Sequence, residues 1–237
     1  MTSRVAGLPL ALVLAGSLAL TACAGGGEKK VTDDQSPEEV LSAAATTLKE
    51  AEGVNLTLST TDLPEGINGI TKAAGVATNA PAFEGTITVV FAGQSVEVPV
   101  VAVDGVVHAV LPFTDGAYQD IDPGDYGAPD PASLISAESG FSSLLGVTTD
   151  LEEGESVRGG ADNDEVLTTF TGTVPGAAMK KVIPSSAGKT FDAEYLVSDD
   201  GELRQAVLTG VFYPKSEAMT YTVDFADYGT SKDIVAP

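Results

Sequence analysis

Apolar positions change period several times along this chain, and each change predicts an element. Val40, Leu41, Ala44, Ala45, Leu48 and Ala51 recur at helical spacing. Ahead of them, Ser36-Pro37-Glu38-Glu39 places a capping hydroxyl, a proline suited to the first turn and an acid that reaches back to the cap. Gly53 predicts the end of this helix. The period then falls to two: Val54, Leu56 and Leu58 alternate with Asn55, Thr57 and Ser59, as in a half-buried strand, until Pro64-Glu65-Gly66 breaks it. Phe83, Ile87, Val89 and Phe91 share one face of a later strand, and Val96, Val98 and Val100 one face of the next. Ala92-Gly93-Gln94-Ser95 joins these two, and Asp104-Gly105 turns into a further strand from Val106 to Leu111.

Two stretches carry weaker patterns. Residues 67–80 (INGITKAAGVATNA) place Ile67, Ile70, Ala74 and Val76 along one side of a weak helix, and three glycines in residues 64–80 suggest a lid hinged at Gly66 and Gly75. Residues 112–133 are rich in Pro, Gly and Asp and predict a long irregular connection. A helix is expected from Pro131 or Ala132 to Leu145, with Gly140 dividing it. Further strands are expected at 151–158, 165–174, 189–197, 202–213 and 218–228, with a short helix over Gly176 to Ile183 that Pro184 ends. Met219, Tyr221, Val223 and Phe225 form the cleanest one-faced strand. The sum is an α+β chain: one antiparallel sheet of about nine or ten strands whose single apolar face needs a cover of short helices.

The first residues follow a different pattern. Arg4 precedes an apolar run from Val5 to Leu20, shorter than the roughly 20 residues of a membrane span and without a charged stop, so residues 1–22 read as a cleaved signal. Leu20-Thr21-Ala22-Cys23 resembles the lipobox of bacterial lipoproteins, which makes Cys23, the only cysteine, the acylated mature N-terminus. Ala24 to Gln35 is Gly-rich and then charged, a tether that spans roughly 40 Å when fully extended at ~3.3–3.6 Å per residue. Residues 36–237 then form one domain.

Net charge is -22, with 12 Lys plus Arg against 34 Asp plus Glu, which argues against nucleic acid and against a whole-molecule attraction to anionic lipid. His108 is the only histidine and sits in a strand without a cysteine nearby, so neither a zinc site nor a Ser-His-Asp triad is indicated. Asp120-Ile121-Asp122-Pro123-Gly124-Asp125 and Asp162-Asn163-Asp164-Glu165 lack calcium-loop spacing and read as turns. No catalytic residue, metal or cofactor is expected.

Three ordered blocks carry a resemblance: Asp104-Gly105 before a strand, Asp130-Pro131-Ala132 leading to Gly140-Phe141 and Leu144-Leu145, and Thr171-Gly172-Thr173-Val174-Pro175 before a short helix. With the lipobox, they resemble the LppX/LprAFG family of actinobacterial envelope lipoproteins, nearest to its LprG-like lipid and glycolipid carriers. The resemblance implies a U-shaped antiparallel half-barrel with helices on its concave face, like the LolA/LolB carriers, and an apolar cavity between sheet and helices. It also implies acylated cargo of the phosphatidylinositol mannoside, lipoarabinomannan or triacylglycerol type, a place on the outer face of the cell membrane, and a major-facilitator efflux pump as partner.

Under this reading Leu56, Leu58, Ile87, Val89, Phe91, Val98, Val100, Met219, Tyr221, Val223 and Phe225 line the pocket, and Ile67, Ile70 and Val76 belong to its lid. The alternatives are an extracytoplasmic hydrolase of sugar or lipid, and an anchored scaffold with a closed core.

Overall fold

The capping signals at the start of the domain act as their chemistry requires. In the computed structural model, which describes residues 35–112, 114–160 and 163–237, helix α1 covers Pro37–Glu50. The Ser36 hydroxyl accepts from the Glu39 amide at 3.3 Å while the Glu39 carboxylate accepts from the Ser36 amide at 2.9 Å. Its inward stripe, Val40, Leu41, Ala44 and Leu48, is buried. The expected signal peptide, Cys23 and the expected tether up to residue 34 lie outside the described residues.

Eleven strands follow: β1 (Gly53–Ser59), β2 (Gly69–Thr78), β3 (Ala82–Phe91), β4 (Gln94–Val103), β5 (Val106–Val110), β6 (Tyr118–Ile121), β7 (Thr149–Gly159), β8 (Glu165–Pro175), β9 (Thr190–Ser198), β10 (Leu203–Gly210) and β11 (Met219–Ala226). They form one open antiparallel sheet in the order β6-β5-β4-β3-β2-β1-β11-β10-β9-β8-β7. Each half is a meander, because short turns can join only antiparallel neighbours. The halves meet where the first strand pairs with the last, Leu56 opposite Phe225 and Leu58 opposite Val223.

Between β6 and β7 the chain leaves the sheet and supplies much of the cover. This segment contains 3-10 turns at Pro123–Tyr126 and Pro131–Ser133 and the short helix α2 (Ser142–Leu145); α3 (Gly176–Val182) enters from the β8–β9 connection. Aspartates start both 3-10 turns: Asp122 accepts from the Gly124 amide at 2.8 Å, and Asp130 from the Ala132 amide at 3.0 Å.

Several expectations need correction. Residues 69–78 are strand β2, not a helix, and they pair with both β1 and β3. Local pattern misled here because the segment lies inside the sheet, where small residues such as Ala73, Ala74 and Gly75 suit close neighbours on either side. The long irregular connection contains β6, which pairs with β5. The helix expected up to Leu145 is reduced to a 3-10 turn and α2, divided around Gly140, where an added Cβ would meet the Leu134 and Ser133 carbonyls at 2.6 Å.

The edges are blunted. β7 is almost wholly exposed, carries Asp150, Glu152, Glu153 and Glu155, and is interrupted by two register shifts. Charge and bulges of this kind oppose edge-to-edge pairing between copies. Its neighbour β8 is fixed at the far end by Arg204, whose Nε and Nη2 donate to the two Glu165 carboxylate oxygens at 2.6 and 3.0 Å while Nη1 meets Glu202 at 2.7 Å. Burial opposes the Arg204 charge, but Glu165 and Glu202 outweigh it and raise its pKa. A small second cluster lies apart from the main core, where Ile234 of the C-terminal tail packs with Ala82 and Val101.

Candidate functional site

One face of the sheet is apolar from β4 across to β8. Cross-strand register aligns Val98, Ile87, Ala73, Leu58, Val223, Ala206, Tyr195 and Phe170 in a single row over eight strands. A parallel row runs Val100, Gly85, Gly75, Leu56 and Phe225. Because side chains alternate between faces, each strand contributes every second residue, and the register brings them together without any local sequence signal.

All eleven residues expected to line a pocket project from this set of strands, but their surroundings differ. Leu56, Leu58, Val98, Val100, Met219, Tyr221, Val223 and Phe225 are buried in the main core. Ile87 and Val89 are only partly covered, and Phe91, at the end of β3, is 65% exposed. The cover is correspondingly uneven. Over β1 and β8–β11, Phe141 meets Phe225 edge-on at 5.9 Å, and Phe212 bridges Phe191 and Tyr221 with ring centroids 4.8 Å from each. Leu144, Leu145, Met179 and Val182 are nearly inaccessible to water as well, while the 3-10 turn at Pro131–Ser133, followed by the buried Leu134 and Ile135, packs on β2–β4. In this half the apolar face is closed off from water by the protein's own side chains. Over the upper parts of β2–β4, Ile70, Ile87, Val89 and Val96 form a partly covered apolar strip, with Leu63 and Leu111 beside it.

The residues assigned to a lid are placed differently. Ile70 and Val76 are in β2, and Ile67 lies just ahead of it. Gly75 is no hinge: it sits mid-strand opposite Leu56 and Gly85, and a Cβ on Gly75 or Gly85 would meet the Phe83 ring at 2.6 or 2.7 Å. The Phe83 ring occupies the place of the two missing side chains. Gly66, with φ +77 and nothing near its Cβ position, does mark a turn.

Polar groups on the covered face are few and mostly hydrogen-bonded, the buried Ser186 Oγ of the α3–β9 connection being without a partner. Tyr195 is held against the Thr148 hydroxyl at 2.9 Å, and burial pushes its pKa up to about 12, the Thr148 bond pulling slightly the other way. Tyr221 donates to the Ile70 carbonyl and meets the Tyr213 hydroxyl; burial, and then Tyr213, raise its pKa far above the ordinary phenol range. His108 bonds Asp120 across β5 and β6 at 2.7 Å, a local strand contact. Among the described residues no group of three or more His, Cys, Asp or Glu side chains is arranged to hold a metal ion. What the face offers is apolar area with few hydroxyls, suited to hydrocarbon.

The profile of the LppX_LprAFG lipoprotein family matches residues 36–234. The chain belongs to this family. Among solved structures, LprF from Mycobacterium bovis superposes with a TM-score of 0.66 at 13% identity, covering 85% of this chain and 96% of that one. The lipoprotein LppX from Mycobacterium tuberculosis gives 0.59 at 15% identity, covering 84% and 98%. At such identities these likenesses establish the shared fold, an open antiparallel sheet with helices on one face. No curated protein sequence matches the chain. Family membership supports a lipid-anchored lipoprotein of the cell envelope that carries acylated lipids without catalysis.

Proposed function

We propose that the domain takes the acyl chains of lipids or glycolipids onto its covered face and carries them from the inner membrane toward the outer envelope, while acylated Cys23 holds it to the membrane's outer face. The observation that carries this reading is the apolar face itself, continuous over eight strands yet roofed by short, separate elements and left partly open over Ile70, Ile87, Val89 and Val96.

The energetics are compatible with exchange. A buried CH₂ contributes about 0.8 kcal/mol, so one long acyl chain recovers on the order of 10 kcal/mol. A buried Leu, Ile or Phe of the roof contributes about 1.5–3 kcal/mol, so displacing several of them costs a comparable amount. Cargo therefore replaces roof side chains at near balance, and a carrier that must also release its load needs that balance. The proposed lining is Leu56, Leu58, Ile87, Val89, Phe91, Val98 and Val100 on one half and Met219, Tyr221, Val223 and Phe225 on the other. The cargo classes suggested by the sequence resemblance are phosphatidylinositol mannoside, lipoarabinomannan and triacylglycerol, with an efflux pump as partner. The sequence blocks point toward the LprG-like members, whereas similar solved structures include LprF and LppX.

A specific observation favours a second reading. The aromatic cluster of Phe141, Phe191, Phe212, Tyr221 and Phe225 fills one half of the interior, as it would in an anchored scaffold with a closed core. Mass spectrometry of lipids extracted from the purified full-length protein separates the two. Stoichiometric acylated species beyond the anchor support the carrier; their absence, with no uptake after incubation with envelope lipids, supports the scaffold.

A further inference from the structure

The antiparallel order sends the β1–β2, β3–β4, β5–β6, β8–β9 and β10–β11 connections to one end of the sheet. That end differs from the other in charge and polarity. It bears the exposed lysines Lys180 and Lys181 of α3, Lys189 and Lys215, none in an ion pair among the described residues, together with Asp62, Glu65, Asp115, Asp150, Asp192 and Glu217. The opposite end carries Glu52, Asp104, Asp164, Asp199, Asp200, Glu202, Asp227 and Asp233. Of its four cations, Lys49, Arg158, Arg204 and Lys232, two are already engaged: Arg204 by Glu165 and Glu202, and Lys232 by Glu84 at 3.1 Å.

The first end also carries the apolar tip. Phe91 is 65% exposed at the β3–β4 turn, where Ala92 (φ 50) and Gly93 (φ 76) make a narrow two-residue reversal. The Asn68 side chain accepts from the Ala92 amide at 3.0 Å and steadies the tip. From Phe91 the strip of partly covered residues, Val89, Val96, Ile70 and Ile87, runs inward along the covered face.

We infer that this end is a membrane-contact face, in which Phe91 enters the acyl boundary of an anionic bilayer and Lys180, Lys181, Lys189 and Lys215 meet its phosphate headgroups. The inference rests on the lipid-carrier reading and names where cargo would cross. An apolar wedge on the same end as exposed cations suits an interfacial anchor, the Phe91 tip supplying the hold and the lysines of the β8–β9 and β10–β11 connections the attraction to anionic lipid. The overall charge of -22 does not oppose this arrangement. Ten-residue strands separate the two ends by about 33 Å, at ~3.3 Å per residue, while charges are screened beyond about 8 Å in physiological salt. The acidic end is hidden from the surface that the lysines touch, and it turns the molecule tip first. Continuity between Phe91 and the strip gives an acyl chain an apolar path from bilayer to covered face.

The chain has no tryptophan, so one introduced indole reports a single site. Full-length acylated protein bearing Phe91→Trp is reconstituted into vesicles of phosphatidylcholine alone, and of two parts phosphatidylcholine to one part phosphatidylglycerol, each with and without brominated lipid. Val106→Trp, at a position 39% exposed on the opposite end, is the control. The expected result is a blue-shifted, bromine-quenched emission from Phe91→Trp in anionic vesicles, with Val106→Trp remaining water-like. Lys180→Glu combined with Lys181→Glu, or salt raised to about 1 M where the screening length is about 3 Å, reduces the shift.

Water-like emission from Phe91→Trp in both vesicle types, equal behaviour of the two tryptophans, or a shift that appears only on adding other envelope proteins overturns the contact face. Gln94→Trp gives the same readout should Phe91→Trp not fold. Lipid recovered from a protein whose tip stays in water leaves the carrier reading standing and removes this one alone.

Discussion

The Tyr221 hydroxyl donates to the Ile70 carbonyl at 2.7 Å, and the rest of that bond's circuit closes through a second tyrosine. Ile70 N–H donates to Tyr213 Oη at 3.1 Å, and Tyr213 Oη lies 2.8 Å from Tyr221 Oη. β1 stops at Ser59, opposite Lys72, so the start of β2 extends past it and would leave the amide and carbonyl of Ile70 unpaired on that side. The two tyrosines stand in for the missing strand and tie the halves of the sheet together. Tyr221→Phe breaks the circuit, and leaving the part-buried Ile70 carbonyl without this donor costs on the order of 1 kcal/mol. The expected outcome is a lowered Tm and faster hydrogen exchange confined to the start of β2; exchange unchanged there would show that β2 does not depend on the bond.

Buried tyrosines also set the alkaline limit. Tyr195 ionises at about 12 in the fold against 10.0 ordinarily, and Tyr221 and Tyr228 are raised further, burial being the main cause in each case. A raised pKa means that the folded state holds the proton more tightly. The stability this confers is complete below about pH 10 and is lost as pH climbs toward the folded value. For Tyr195, two pKa units correspond to about 2.7 kcal/mol. Denaturant midpoints should therefore fall steeply between about pH 10 and 12, and Tyr195→Phe should make the slope shallower. An unchanged slope in that variant would mean that Tyr195 does not hold its proton against the fold.

Gly75 and Gly85 face each other across β2 and β3 beneath the Phe83 ring. Gly75→Ala drives a methyl against the Glu84 carbonyl and into that ring and should destabilise by about 1–3 kcal/mol, the usual range for overpacking. Phe83→Leu combined with Gly75→Ala should lose less than the two single changes added together, because the smaller side chain vacates the contested space. Strict additivity in urea denaturation would place the strain elsewhere.

The boundary of what could be read from the chain follows from where the information resides. Helix α1 was legible because its cap, first-turn proline and apolar stripe all lie within a few residues. The β3–β4 and β4–β5 hairpins were legible because Ala92-Gly93 and Asp104-Gly105 encode their turns locally. β2 was not: its glycines answer to Phe83 and to β1, partners that only the register supplies. β6 was hidden because four residues, Tyr118–Ile121, are too few to show alternation. For the site, alternation identified which residues share a face, since the period of two is fixed by the backbone. It could not show how the face is covered. That depends on Phe141, Phe212 and Met179, whose placement is decided by long-range packing, and it left Ile87, Val89 and Phe91 less covered than their partners.

Cys23 is the only thiol in the chain, so the proposed anchor has a single thiol acceptor. Cys23→Ser should abolish acylation and leave the protein either released from the membrane or retained with its signal uncut. Partition into detergent phase and the mass of the N-terminal peptide check this. A lipid-sized mass persisting on that peptide would mean that another group carries the anchor.

The partly covered strip offers the sharpest test of cargo binding, because there function and stability separate. Val223, fully buried between β1 and β10, cannot be made polar without unfolding effects, since burying an unpaired amide costs about 1–3 kcal/mol on protein scales. Val89 lies opposite Ile70 and Val96 and keeps partial access to water, so Val89→Asn leaves its amide solvated and should change stability by less than about 1 kcal/mol. An acyl chain lying along the strip would, however, have to cover that amide. The expected outcome is a protein with near-parental Tm and several-fold less co-purified lipid. Val98→Trp should act from the adjacent buried row, lowering lipid content together with stability, because its added bulk meets Ile87 before any cargo arrives. If Val89→Asn retains full lipid content, the acyl chains must lie against the aromatic half, and the lining would have to be reassigned to Met219, Tyr221 and their neighbours.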